Sequence, residues 1–132
     1  MIQTSEVLKA AQSIVAAFSA HDSDQYFAAF DSEATFIFHN TEQVLHSRAE
    51  YETLWKTWES EGFHVISCLS FQPLVRILYD GIAIFTHSVK TELKFGDEKV
   101  TSRERETIVF ALIDGKWLGV HEHLSPDPNF SL

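Results

Sequence analysis

One cysteine, three prolines and five glycines among 132 residues exclude several kinds of protein at the outset. Cys68 has no partner for an internal disulfide. Its flanks, Ile66-Ser67-Cys68-Leu69, read as a buried strand position, in a chain expected to work in a reducing cytoplasm. Basic residues are also scarce, with ten Lys and Arg against nineteen Asp and Glu and a formal charge of −9. Phosphate backbones and anionic membrane surfaces would be repelled, so neither nucleic acid nor membrane is an expected partner. No apolar run approaches the roughly 18 residues of a membrane helix, and the first residues lack the basic and apolar regions of a leader. Gly-rich phosphate loops, CxxC pairs and Ser-His-Asp spacing are missing. Nucleotide hydrolysis, zinc-ribbon roles and serine-type acyl transfer therefore find no support, and no cofactor is expected.

Aromatic surface, by contrast, is plentiful, with 11 Phe, 3 Trp and 3 Tyr. That is enough for one sizeable core with some left over for a pocket or a subunit contact. The length fits a single domain over 1–132, with a loose tail over 125–132 marked by Pro126 and Pro128. Charge is uneven: residues 1–62 carry 3 basic and 10 acidic groups (−7), and residues 63–132 carry 7 and 9 (−2).

Val7, Leu8, Ala11, Ile14, Val15 and Phe18 recur at helical spacing, which predicts a helix over about 5–20 with Ser5 as N-cap. Asp22-Ser23-Asp24-Gln25 resembles a capping box and opens a short helix that turns Tyr26, Phe27 and Phe30 inward and ends near Asp31. Strands are expected over 34–39 and 43–46. A second capping box, Ser47 to Glu50, starts a helix over 48–61 with Tyr51, Leu54, Trp55 and Trp58 on one face and Gly62 closing it. The remainder reads as strands over 63–71, 74–79, 82–95, 99–113 and 117–124, joined by Asp80-Gly81, Gly96-Asp97 and Asp114-Gly115 turns. The class is α+β, an antiparallel meander covered on one face by three helices.

Asp114-Gly115-Lys116-Trp117-Leu118, followed by Val120-His121, His123 and Ser125, resembles the C-terminal signature of SnoaL-like domains, and the order of elements matches as well. That family belongs to the nuclear-transport-factor-two-like (cystatin-like) superfamily, which includes ketosteroid isomerases and the association (hub) domain of calcium/calmodulin-dependent protein kinase type two. Tyr51-Glu52-Thr53-Leu54-Trp55 and Glu106-Thr107 with Val109 are similar to hub motifs. The resemblance implies a cone-shaped, curved sheet with the helices on its concave face, a pocket there, and a homodimer or higher assembly formed through the outer face. It leaves function open, because this scaffold hosts isomerases, cyclases and hydratases alongside binding and assembly modules. The positions matching three arginines of the hub's anion-attracting pocket are Thr86, Ile108 and Leu124, so an anionic ligand of that kind is not implied.

Period-two alternation splits the last two strands into faces, and the Asp114-Gly115 turn decides how they combine. A two-residue turn pairs Ile113 with Lys116 and hence Glu106 with His123. A three-residue bulged loop pairs Leu112 with Lys116 and Glu106 with Glu122. The bulged form is favoured because it gathers Ile108, Phe110, Leu112, Leu118, Val120 and Leu124 on one face. The concave face would then be an apolar cup holding Glu106 and Glu122, with Thr86 and Ser88 from the next strand and Tyr26, Phe36, Phe38, Trp55 and Trp58 as walls. A carboxyl group in such a cup has a raised pKa and can act as general base or acid, with Glu122 the first candidate and Glu106 the second. The competing reading makes Arg103-Glu104-Arg105-Glu106 a solvated strand end. His121 and His123 share a strand face at a spacing zinc or iron could use, with His87 or His39 as third ligands. Two histidines alone do not make a site, so no metal is expected. The sequence thus points to a protein that binds a small molecule, with proton-transfer chemistry on a pocket carboxylate. The alternative is a non-enzymatic oligomerisation or ligand-sensing module.

Overall fold

The computed structural model describes residues 2–128, so the last part of the expected tail, 129–132, lies outside the described residues. The chain runs α1 (Ile2–Ser19), α2 (Ser23–Ala28), β1 (Phe30–Phe38), α3 (Arg48–Ser60), β2 (Phe63–Tyr79), β3 (Ile82–Phe95), β4 (Glu98–Ile113) and β5 (Lys116–Pro126). The strands form one curved, open sheet in the order β1-β5-β4-β3-β2. β2 to β5 are the expected antiparallel meander. β1 joins the far edge parallel to β5, with Phe36 opposite Glu122 and Phe38 opposite Leu124.

The helices form where their ends are satisfied. Asp22 accepts from the Gln25 N–H and Ser47 from the Glu50 N–H, each filling an N-terminal donor that the helix itself leaves without a partner. Gly62, at φ 95°, reverses the chain after α3 and lies so close to Gly96 that a Cβ would stand 2.5 Å from its nitrogen. Three local expectations change. α1 begins at Ile2, and the Ser5 hydroxyl donates to the Ile2 carbonyl inside the first turn instead of capping the helix. Residues 43–46 form no strand, and only Leu45 bridges to Phe36. Ser125 and Pro126 extend β5, and the Asp127 N–H donates to the Arg103 carbonyl, so the chain is still held where the tail was expected to be loose.

The core lies between the helices and the concave face. Phe30, Phe36, Phe85, Phe110, Ile108 and Trp55 are almost wholly buried, each apolar side chain worth about 1.5–3 kcal/mol of burial. α1 contributes Val7, Ala11 and Ile14. Around Trp55, Phe27 stands edge-on at 5.4 Å, and the indole Nε1 donates to Ser23 Oγ at 3.0 Å, tying α3 to α2.

Candidate functional site

The chemistry of the concave face is set by the β4–β5 register. Asp114 and Gly115 both have positive φ, 50° and 81°, and form the tight two-residue turn, with Ile113 opposite Lys116. That is the alternative the hydrophobic pattern argued against. A bulge six residues further along restores the expected parity by a different route. Phe110 faces Gly119 but Val109 faces His121, so Val120 is the extra residue and the register advances by one. Glu106 therefore lies opposite Leu124 and Ile108 opposite Glu122, replacing both anticipated partners of Glu106. Even-numbered residues of both strands still share the concave face beyond the bulge. Before it the parity reverses, so Leu118 pairs with Ala111 on the outer side. The bulge sits where Phe30 presses on the sheet, and a Cβ on Gly119 would stand 2.6 Å from the Phe30 ring.

A cavity of about 410 Å³ opens on this face. Tyr26, Phe38, Trp58, Leu124, Glu106 and Glu122 line it, brought together from α2, β1, α3, β5 and β4. Other expected wall residues lie elsewhere. Phe36, Trp55, Ile108 and Phe110 are sealed in the core behind the wall. Val120 is the bulge residue. Thr86 and Ser88 belong to the opposite parity of β3 and line a groove on the outer face with Gln72, Arg105 and His123. Residues not expected in the wall also line the cavity, among them Phe18, Tyr51, Phe63 and Phe95 of the aromatics and His39, Cys68 and Glu104 of the titratable groups. The period-two pattern already put Glu104 on the face of Glu106. The alternating charges around it made that strand end look solvated, whereas Glu104 is only 7% exposed.

Three carboxyl groups thus converge on one apolar space, each differently held. Glu104 Oε2 lies 2.6 Å from Nε2 of the half-exposed His39. Glu106 Oε1 lies 2.6 Å from Nε2 of the buried His87, whose Nδ1 meets Ser70 Oγ at 2.6 Å. Glu122 is 4% exposed, and its Oε1 has no hydrogen-bond partner among the described residues. Burial raises the pKa of Glu122 well above the usual carboxylate range. The charge of Glu106 and the hydrogen bond the two share raise it further. Burial pushes Glu106 the same way, but the hydrogen bonds from Glu122 and His87 and the His87 charge outweigh it and leave Glu106 below its ordinary value. One acid of the pair keeps its proton while the other stays ionised, as expected of two carboxyl groups close together in a dry site.

The Tyr26 and Tyr51 hydroxyls, 2.9 Å apart, border the pair, and burial with the Glu122 charge raises both well above the ordinary phenol value. Burial likewise pushes the Cys68 thiol up to about 11, the opposite of an activated nucleophile. His121 and His123 take no part in the cavity. His121 Nδ1 meets Thr35 Oγ1 at 2.8 Å, and the two imidazoles stand 6.4 Å apart. His39 and His87 are each engaged with a glutamate. Among the described residues no group of three or more His, Cys, Asp or Glu side chains is arranged to hold a metal ion. Nor is any helix among them long and apolar enough to cross a membrane.

The SnoaL-like domain family matches residues 7–128. The solved structures similar to this chain include the calcium/calmodulin-dependent protein kinase II hub homology domain of Chlamydomonas reinhardtii, at 23% identity and TM-score 0.76 over 96% of this chain and 99% of that one. The association domain of the C. elegans kinase aligns at 19% identity and TM-score 0.72, covering 94% and 95%. A nuclear-transport-factor-two-like protein from Cytophaga hutchinsonii aligns at 15% identity and TM-score 0.79, covering 96% and 100%. At these identities the likeness is one of fold. No curated protein shows significant sequence similarity to the chain.

Proposed function

The chain belongs to the SnoaL-like domain family, and from that premise we propose that it binds a small, largely apolar molecule in the concave cavity and that Glu122 and Glu106 move a proton on it. The observation carrying this reading is Glu122 Oε1, buried at the wall of an apolar cavity without a protein partner. Leaving such a group unpaired costs about 1–3 kcal/mol, a cost that a ligand hydrogen bond offsets. The exposed members of the wall, His39, Asn40, Phe95 and Val100, mark the mouth, and Tyr26, Tyr51 and Glu122 the closed end. The ionised Glu106 carboxylate accepts a proton from carbon or water, and the Glu122 carboxyl donates one to the oxygen that gains charge. Isomerisation, cyclisation and hydration each need this pair of transfers. His87 positions Glu106 and is itself fixed by Ser70.

The reading is tested with 2-tetralone, a ketone that fits a cavity of this size, by following deuterium uptake at its α-carbon by proton NMR in deuterium oxide. Exchange above the buffer rate that disappears in the Glu106→Gln/Glu122→Gln double variant, with the fold retained by circular dichroism, supports it. A bound ketone that exchanges only at the buffer rate refutes the proton-transfer step.

A second reading, self-assembly, rests on the outer face of the sheet. Leu69, Phe71 and Leu74 are 54%, 37% and 66% exposed on the outer side of β2. This apolar row borders the Thr86, Arg105 and His123 groove. We propose that a second copy covers this face, which agrees with the association-domain likeness. The two readings concern opposite faces and are compatible.

A further inference from the structure

The charge of the cavity wall narrows the ligand class beyond the reading above, on which this inference rests. Glu104, Glu106 and Glu122 all face the space, and no lysine or arginine does among the described residues that line it. The basic side chains that could soften this field are already committed: His39 faces Glu104 and His87 faces Glu106. Among the described residues Glu122 Oε1 is the buried side-chain atom left without a hydrogen-bond partner, and its carboxyl is nine-tenths buried. Around these groups the wall is aromatic, with Phe18, Tyr26, Phe38, Tyr51, Trp58 and Phe63 presenting rings to whatever enters. An anion would meet like charge in a space too dry to screen the repulsion, with the nearby imidazoles of His39 and His87 already held by Glu104 and Glu106. A neutral molecule would use the apolar wall and leave the field unused. An ammonium group uses both, through a charge-assisted hydrogen bond to Glu122 Oε1 and through contact with the ring faces.

We infer that the cavity selects an apolar amine that binds as its protonated cation, with the nitrogen among Glu104, Glu106 and Glu122 and the hydrocarbon body against the aromatic wall. The ammonium N–H donates to the unpartnered Oε1 of the Glu122 carboxyl, and the ionised Glu106 beside it balances the charge, so the Glu122 proton stays in place for transfer. The other titratable groups facing Glu122 are Glu104, Glu106, Tyr26, Tyr51 and Cys68. The two phenols and the thiol stay neutral near pH 7, because burial raises all three.

A charge series on one hydrocarbon body tests this: 2-naphthylmethylamine, 2-naphthalenemethanol and 2-naphthoic acid, titrated calorimetrically into the full chain at pH 7. The amine should bind roughly tenfold or more tightly than the alcohol, and the acid should bind weakest. In Glu106→Gln, which removes the ionised carboxylate of the pair, the amine should lose its advantage while the alcohol still binds. Glu104→Gln, at the mouth side, should weaken the amine selectively and serves if Glu106→Gln does not fold. An alcohol that binds as well as the amine, or an acid that binds better, overturns the cation preference and leaves the cavity a ligand site. Failure of all three compounds to bind overturns both.

Discussion

Residue by residue, two glutamates in one cavity are shifted in opposite directions. Glu122 has its pKa raised in the folded chain by burial and by Glu106. It holds its proton more tightly folded than unfolded, so its contribution to stability is complete below the unfolded value of about 4.3 and is lost as pH rises toward the raised value. Glutamine has no such dependence. In urea melts, the stability of the native protein relative to Glu122→Gln should therefore fall as pH is raised from about 4 through neutrality, and a difference that stays flat contradicts the assignment. Glu106 runs the other way: its support is present above the unfolded value and is lost as pH falls through its depressed folded value. Both residues were legible as candidates because period-two alternation places them on one face in an apolar strand. Their pairing partners were not, since a turn sequence and a hydrophobic pattern gave two registers and the real one is a third. Glu104 was misjudged because its flanking arginines suggested solvent, whereas parity alone decides its direction.

Among the elements, the outcome depended on whether the governing signal was local. Helix ends were readable because caps are short-range chemistry, as at Asp22 and Ser47. The meander was readable because its turns carry Gly or Asp-Gly. The parallel pairing of β1 with β5 joins residues more than eighty apart, and nothing near Phe36 in sequence announces it. The bulge at Val120 is likewise a tertiary feature, made where Gly119 gives way to the ring of Phe30. Replacing Gly119 with Ala forces that ring or the strand to shift and should cost about 1–3 kcal/mol in a chemical melt, as overpacking of a full core does. The same variant should disturb the cavity, because the bulge is what keeps Glu122 on the concave side. If Gly119→Ala leaves stability unchanged, the close approach of Phe30 is not a constraint.

For the whole molecule, the two faces of one sheet present different surfaces. The concave side is closed by helices around an acidic, aromatic cavity, and the outer side presents an apolar row along β2. Placing a charge in that row, Leu74→Glu, should shift the proposed dimer to monomer by light scattering while leaving the cavity intact, since Leu74 is 66% exposed and contributes nothing to the core. A dimer that survives both Leu74→Glu and Leu69→Glu places the contact elsewhere. The central claim, that the closed end of the cavity holds a protonated carboxyl group beside an ionised one, is tested most directly by a carbon-13 NMR titration of the glutamate side-chain carboxyls, with Glu106→Gln and Glu122→Gln for assignment. Glu122 should remain protonated well above the ordinary glutamate range while Glu106 remains ionised below it. Two carboxyls that both titrate near the ordinary value would contradict the account.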